Sequence, residues 1–338
     1  MRQICFLIAA LCLGSCTSGT QKKEVERVAD QKYTVVSDSI YSRMPGSMFY
    51  QDGILYWHDV FSPEGFIHAI ETGTRRELCS FGAMGDGPEE FSVPLLSLSP
   101  ASGFLVNDGS KKLEVLYQVH KETGSLSVSA REYENRQDAV RFLYLANGDK
   151  VYLCPNASRP FYVKPNLGEG KYEGSFPINE KIANGFDLFQ GQLVYNPVKE
   201  VMVYSAFSFP YMAVYKTGKG NIKMDAELKP SVGYTLTEGE LHLDPSEEKG
   251  AMELGLTKDY VVTLQRDRQV EGEAPQPRHA RDTSTLPHSL FVYDYELNLT
   301  RIIHMPFPML RLCGDAQTNS IYAVAVNPEF MIIKIDLE

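Results

Sequence analysis

The most constraining feature of this chain is a succession of short apolar runs from Tyr33 to the C-terminus, each broken by Gly, Asn, Asp or Pro. Gly53-Ile54-Leu55-Tyr56-Trp57, Lys150-Val151-Tyr152-Leu153, Glu200-Val201-Met202-Val203-Tyr204 and Asn319-Ser320-Ile321-Tyr322-Ala323-Val324 are typical. Runs rich in β-branched and aromatic residues between turn formers read as strands. Ala146-Asn147-Gly148-Asp149 marks a hairpin, because Asn-Gly tolerates the positive φ of a tight turn. Helical periodicity is nearly absent. Pro245 to Leu256 is the exception: proline and acidic residues at its start predict one short helix.

Many short strands suit a sandwich, a barrel or a propeller, and length chooses among them. Two stretches look inserted, 229–250 and 265–287; the second is charged and holds three prolines. With these set aside, the chain from residue 32 divides by six into units of about 44 residues, the length of a four-stranded propeller blade. Division by seven leaves about 37, which is short. The blades fall near 44–82, 92–133, 138–177, 185–228, 248–305 and 307–338. The last has room for only three strands. An open strand edge invites aggregation, and radial closure protects it. Tyr33-Thr34-Val35-Val36 is therefore expected to supply the missing strand. The predicted fold class is all-β: a six-bladed β-propeller over 33–338, closed by an N-terminal strand. The two insertions are expected to wall or lid a pocket over the central channel, since long loops in compact domains are usually functional or disordered.

The N-terminus carries a different message. Met1-Arg2-Gln3 brings one positive charge, and Ile4 to Leu13 is almost wholly apolar. About ten such residues cannot span a bilayer, but a charged start before a run of this length fits an export signal. Leu13-Gly14-Ser15-Cys16 follows directly and resembles the lipobox of bacterial lipoproteins, whose cysteine is acylated and becomes the new N-terminus. That resemblance implies a leader at 1–15, lipid attachment at Cys16 and membrane anchoring by acyl chains, each buried methylene contributing about 0.8 kcal/mol. A secreted protein with an incidental cysteine is the alternative. Thr17 to Lys32 is polar and charged, so residues 16–32 read as a flexible tether. Thr17-Ser18-Gly19-Thr20 lacks acidic residues after the cysteine, which places the expected outer-membrane lipoprotein of a Gram-negative envelope on the periplasmic side. No later stretch reaches spanning length.

Charge narrows the partners. The chain has 33 basic and 43 acidic residues, a net of −10, and loss of Arg2 with the leader makes it more negative. Such a protein is a poor partner for nucleic acid. Outside the leader and Cys16 remain Cys79, Cys154 and Cys313, widely spaced and without a zinc or CxxC pattern. One disulfide is open to them in an oxidising compartment; three buried free thiols are the favoured reading.

One segment is specific. Phe81-Gly82-Ala83-Met84-Gly85-Asp86-Gly87-Pro88-Glu89-Glu90-Phe91-Ser92-Val93-Pro94 packs three glycines and a proline into seven residues, which excludes regular structure. Phe91 returns the chain to the core, and Pro94 opens a strand. Gly103 to Asp108 rises as the next strand, Gly109-Ser110-Lys111-Lys112 turns, and Leu113-Glu114-Val115-Leu116 descends. Asp108 is placed to accept hydrogen bonds from turn amides. Residues 81–116 resemble one NHL-type propeller repeat at Phe81, Gly82, Gly85, Gly87, Phe91, Pro94, Val106 and Asp108. Pro88 and Phe91 also fit the variant familiar from six-bladed, TolB-like propeller lipoproteins, although Glu89 stands where that group usually has glycine. Lys111-Lys112 replaces the repeat's usual Asn-x-Arg, so the RNA or protein contacts of some NHL domains are not carried over. Near the end, Gly314-Asp315, Asn319 to Tyr322 and Ile332 to Asp336 echo the pattern.

Chemistry-bearing motifs are sparse. The seven histidines form no HxxxH or HExxH pair. His242-Leu243-Asp244 could present two ligands on one strand face, but so do many bland strands. No Gly-x-Ser-x-Gly elbow occurs, and the glycines at 82–87 lack a phosphate loop's lysine and flanking elements. Glu89-Glu90 and Glu247-Glu248 are adjacent, so on a strand they face opposite ways. No catalytic residue, metal ligand or cofactor is predicted. Trp57-His58-Asp59 holds the only tryptophan and could stack on and hydrogen-bond a sugar; a packed tryptophan beside turn residues is the plainer reading. Asp38-Ser39-Ile40 resembles an O-glycosylation acceptor. The function expected is a binding or scaffold module for a glycan, peptide or envelope protein, with an enzyme acting on glycan or peptidoglycan fragments as the alternative. Two carboxyl groups about 5–10 Å apart at the channel mouth would mark the enzyme.

Overall fold

A computed structural model of the chain describes residues 25–38, 40–132, 136, 138–178, 180, 182–218, 221–279 and 282–338. Cys16 and Ser39 lie outside the described residues. Six antiparallel sheets succeed one another along the sequence, at 45–83, 94–132, 141–173, 191–228, 253–304 and 309–336. The first five have four strands from one continuous stretch, in sequential order. The sixth has three and is completed by β2 (Tyr33–Ser37), antiparallel to Phe330–Asp336 with Tyr33 opposite Ile335 and Val35 opposite Ile333. The fold is the six-bladed propeller closed by an N-terminal strand that the strand spacing predicts.

Alternation within each strand explains the ring. A blade is apolar on both faces, so each face must be covered by a neighbour. Six apolar clusters result, one at each junction between neighbouring blades. The junction between the sixth and first blades holds Val36, Met48, Leu55, Trp57, Tyr322, Val324 and Ile332. Val36 comes from β2, so the closing strand supplies both hydrogen bonds and core.

Two expectations are corrected. Glu26–Val28, assigned to a flexible tether, forms β1, a fifth strand parallel to Leu299–His304 on the outside of the fifth blade. Val28 packs against the core there, Arg27 pairs with buried Asp267, and Arg301 holds Glu26 at 3.0 Å. The segment reads as polar because its stabilising partners are charged side chains far along the chain. The helix expected at Pro245 to Leu256 is also absent: Glu253–Leu256 is the innermost strand of the fifth blade. A Cβ on Gly255 would fall 2.7 Å from a Leu312 methyl, and one on Gly314 2.2 Å from the Leu256 carbonyl oxygen. This close approach of two inner strands overrides the weak helical pattern. The helices described are α1 (Gly185–Phe189) and α2 (Arg268–Glu271). None of them is long and apolar enough to cross a membrane. Cys79 is half-buried, and Cys154 and Cys313 are buried; all three are free thiols.

Candidate functional site

The glycine-rich segment is a structural turn between the first and second blades. Gly82 has φ +82°, and a Cβ there would lie 2.7 Å from the Phe66 ring. The Gly87 amide donates to Glu90 at 2.7 Å, which folds the loop back. Phe91 is fully buried between the two blades. One Asp108 oxygen accepts from the Ser92 and Val93 amides at 2.5 and 3.0 Å; the other accepts from Ser110 and Lys111. These bonds hold its carboxyl down at about 2 against the desolvation that would raise it. The Lys111 ammonium donates to the carbonyls of Gly85, Gly87 and Glu90 at 2.6, 3.1 and 2.8 Å. The lysine that departs from the repeat pattern thus clamps the loop the pattern encodes.

Trp57, His58 and Asp59 share a strand but form no common site. Trp57 is buried at the closing junction and stacks on His68, centroids 4.2 Å apart. His58 packs against the Phe66 edge, and burial pushes its pKa down to about 4. Asp59 accepts from Ser42 Oγ at 2.8 Å and the Phe61 amide at 3.2 Å, fixing the following turn. None of the three lines the cavity described next.

That cavity occupies the channel. Its volume is about 440 Å³, and the innermost strand of every blade contributes to its wall. Leu96, Leu98, Leu143, Val194 and Leu254 make much of the lining apolar. Its mouth is formed by turns between first and second strands: Gln51 and Asp52, Ser99 to Ser102, Pro197 and Val198, and Asp315 to Gln317. Among the described residues the insertions 229–250 and 265–287 contribute nothing to it, contrary to expectation. Strand order explains this. In a four-stranded antiparallel blade the first-to-second turns lie at one end; second-to-third loops and blade-to-blade connections lie at the other. Residues 229–252 join the fourth blade to the fifth, and 266–288 join the second and third strands of the fifth. Both therefore emerge at the end away from the mouth. The first carries the hairpin Tyr234–Thr237 and Glu240–Leu243, where His242 is exposed beside Glu240.

Opposite the mouth the wall becomes charged. Glu253 is buried and accepts from Arg311 at 3.1 Å. Desolvation pushes its carboxyl up to about 7, although Arg311, Arg141 and the Leu312 amide all oppose the rise. Arg141, on the innermost strand of the third blade, is half-buried and lines the cavity. Burial lowers its pKa, partly offset by Glu253. Cys313 lines the wall too, and burial keeps its thiol far above its usual value and so protonated. The carboxylates of the lining are Asp52, Glu253 and Asp315. Asp52 accepts from Ser102 Oγ, and Asp315 accepts from the Gln317 amide and Thr318 Oγ1. Each is thus held by a partner. Among the described residues no group of His, Cys, Asp and Glu is arranged to hold a metal ion. Sequence reasoning missed Arg141, Glu253 and Arg311. Their signal is a single charge inside the apolar first strand of a blade, in Arg141-Phe142-Leu143-Tyr144, Glu253-Leu254-Gly255-Leu256 and Leu310-Arg311-Leu312-Cys313.

Sequential four-stranded sheets around a lined channel define a six-bladed β-propeller. The chain belongs to the TolB-like, 6-blade propeller-like family, whose sequence profile matches residues 24–306, more than four-fifths of its length. No curated protein matches. Solved structures similar to it include the Cps50 (Swd1) β-propeller domain of Myceliophteria thermophila, at 9% identity and TM-score 0.45, with 90% of this chain and 99% of that one covered. Raptor of Chaetomium thermophilum is similar at 9% identity and TM-score 0.49, with 91% of this chain covered. The match spans only 29% of Raptor.

Proposed function

We propose that the protein is a ligand-binding module of a Gram-negative cell envelope, hung from the outer membrane by an acylated Cys16 on its periplasmic side. The TolB-like family points toward the envelope, and the Leu13-Gly14-Ser15-Cys16 sequence supports the anchor. A channel cavity of about 440 Å³ walled by all six blades carries the binding reading. Small-molecule sites are concave, mostly apolar and sparingly polar. The ligand is a glycan, a peptide or a segment of an envelope protein small enough to enter. Hydrolysis of glycan or peptidoglycan fragments is the weaker reading, because the lining carboxylates are engaged by turn groups or by Arg311.

Capture from detergent-solubilised envelope tests the binding reading. The whole chain should retain a molecule that Leu98→Trp, which fills the cavity, does not retain. Equal retention by both forms contradicts a channel site. Palmitate labelling tests the anchor separately: the parent should be labelled and Cys16→Ser should not.

A further inference from the structure

We propose that the deep end of the cavity is an anion subsite, where the Arg141 guanidinium receives the carboxylate of a small organic acid whose apolar body lies along the wall toward the mouth. The inference rests on the binding reading above and names the ligand class.

The position of Arg141 is the first observation. In a ring of six, the third blade faces the sixth across the axis, and one blade separates the third from the fifth. Arg141 nevertheless feels both Glu253 of the fifth blade and Arg311 of the sixth. Arg141 and Glu253 both line the cavity wall, so the guanidinium and the carboxylate border the same enclosed space.

Its lack of a partner is the second. Among the described residues Arg141 donates no side-chain hydrogen bond and has no carboxylate within ion-pair distance; Glu253 is already engaged by Arg311 at 3.1 Å. Arg311 thus occupies the nearest buried carboxylate, and Arg141 is left without one of its own. An arginine remains protonated in proteins, and a half-buried guanidinium with no protein partner keeps its N–H donors for an anion.

Shape and wall chemistry select the anion. A planar guanidinium matches a carboxylate through two parallel N–H···O bonds, a geometry lysine cannot reproduce. A single guanidinium suits a carboxylate better than a phosphate dianion, which would bring a second negative charge into a wall that already holds Glu253 and Asp315. Between Arg141 and the mouth the lining is largely Leu96, Leu98, Leu143, Val194 and Leu254, which favours an apolar body. A peptide C-terminus and a free organic acid offer this same chemistry.

The test uses calorimetric titration of the whole chain with N-acetyl-leucine, its neutral amide, glucuronate and inorganic phosphate. N-acetyl-leucine should bind at least tenfold more tightly than its amide, and phosphate should bind more weakly than either carboxylate. N-acetyl-leucine should bind more tightly than glucuronate, and the reverse order would overturn the apolar body. Arg141→Met should erase the preference for acid over amide, and Arg141→Lys should keep only part of it. Equal binding of acid and amide to the parent, absence of binding by both carboxylates, or an undiminished preference in Arg141→Met each overturns the anion subsite. The acid-to-amide comparison on the parent does not depend on the folding of any variant. A failed anion subsite leaves Leu98→Trp still distinguishing a channel site from none, so the two readings fail separately.

Discussion

Removing the closing strand should do far more damage than its length suggests. A chain that begins at residue 38 loses β1 and β2 together; one that begins at residue 32 loses β1 alone. Loss of β2 removes Val36, buried at the junction of the sixth and first blades, worth about 2 kcal/mol in apolar burial. It removes the edge contact of Tyr33 with Phe307 at 5.1 Å, worth about 1 kcal/mol. It also strips the outer hydrogen bonds from Phe330–Asp336, at about 1 kcal/mol each net. A loss of about 5 kcal/mol is expected, a large share of the roughly 5–15 kcal/mol that stabilises a typical domain. At about 2 °C per kcal/mol for a large domain, the melting temperature by far-ultraviolet circular dichroism should fall by about 10 °C. Starting at residue 32 should cost less, because β1 contributes one partly buried apolar side chain, Val28, and pairs in which Arg27 and Glu26 stay exposed, although Asp267 loses its arginine. A synthetic peptide of residues 25–38 added to the shorter chain should restore most of the loss. If the chain starting at 38 melts within about 2 °C of the parent, the reasoning from ring closure fails.

Three further outcomes follow from single side chains. Lys111→Met leaves the carbonyls of Gly85, Gly87 and Glu90 without their ammonium donor and should cost about 2 kcal/mol in urea unfolding; an unchanged midpoint would refute the clamp. Asp108, held at about 2 in the fold against 3.8 otherwise, stabilises by about 2 kcal/mol above pH 4, and this is lost as pH falls through 2. Asp108→Asn should therefore flatten the acid limb of the stability profile, and an unaltered limb would contradict the assignment. Glu253 is raised to about 7 from 4.5, so its contribution is full below pH 4.5 and is lost as pH rises through 7, by about 3 kcal/mol. Glu253→Gln should shrink the stability difference between pH 5 and pH 8, and a difference of the same size would count against a buried carboxyl there.

Local chemistry made much of the fold legible. Turn formers between apolar runs located all six blades to within a few residues, and the short last blade required a strand from elsewhere, which Tyr33–Ser37 supplies. Asp108 was legible as a turn acceptor because its partners are the next residues in sequence or open the same blade. In the Ala146–Asp149 hairpin only Gly148 takes positive φ, so the Asn-Gly signal located the turn without fixing its type. What stayed hidden depends on distant partners. Arg141, Glu253 and Arg311 meet only because the ring brings three blades around one axis. β1 is polar in sequence, and Asp267 and Arg301 make it a strand. Trp57 beside His58 and Asp59 suggested a sugar platform, yet strand alternation sends Trp57 into the blade junction. The insertions looked like a lid because length alone does not tell which end of the channel they leave.

The choice between the two ends can be measured. Amide hydrogen exchange of the whole chain, with and without the molecule it captures from envelope extract, reads both at once. Protection is predicted at 47–52, 96–102, 141–144, 192–198, 253–256 and 312–317, the inner strands and turns around the cavity. Protection confined to 229–250 and 265–287, with the inner strands unchanged, would contradict a ligand site in the channel.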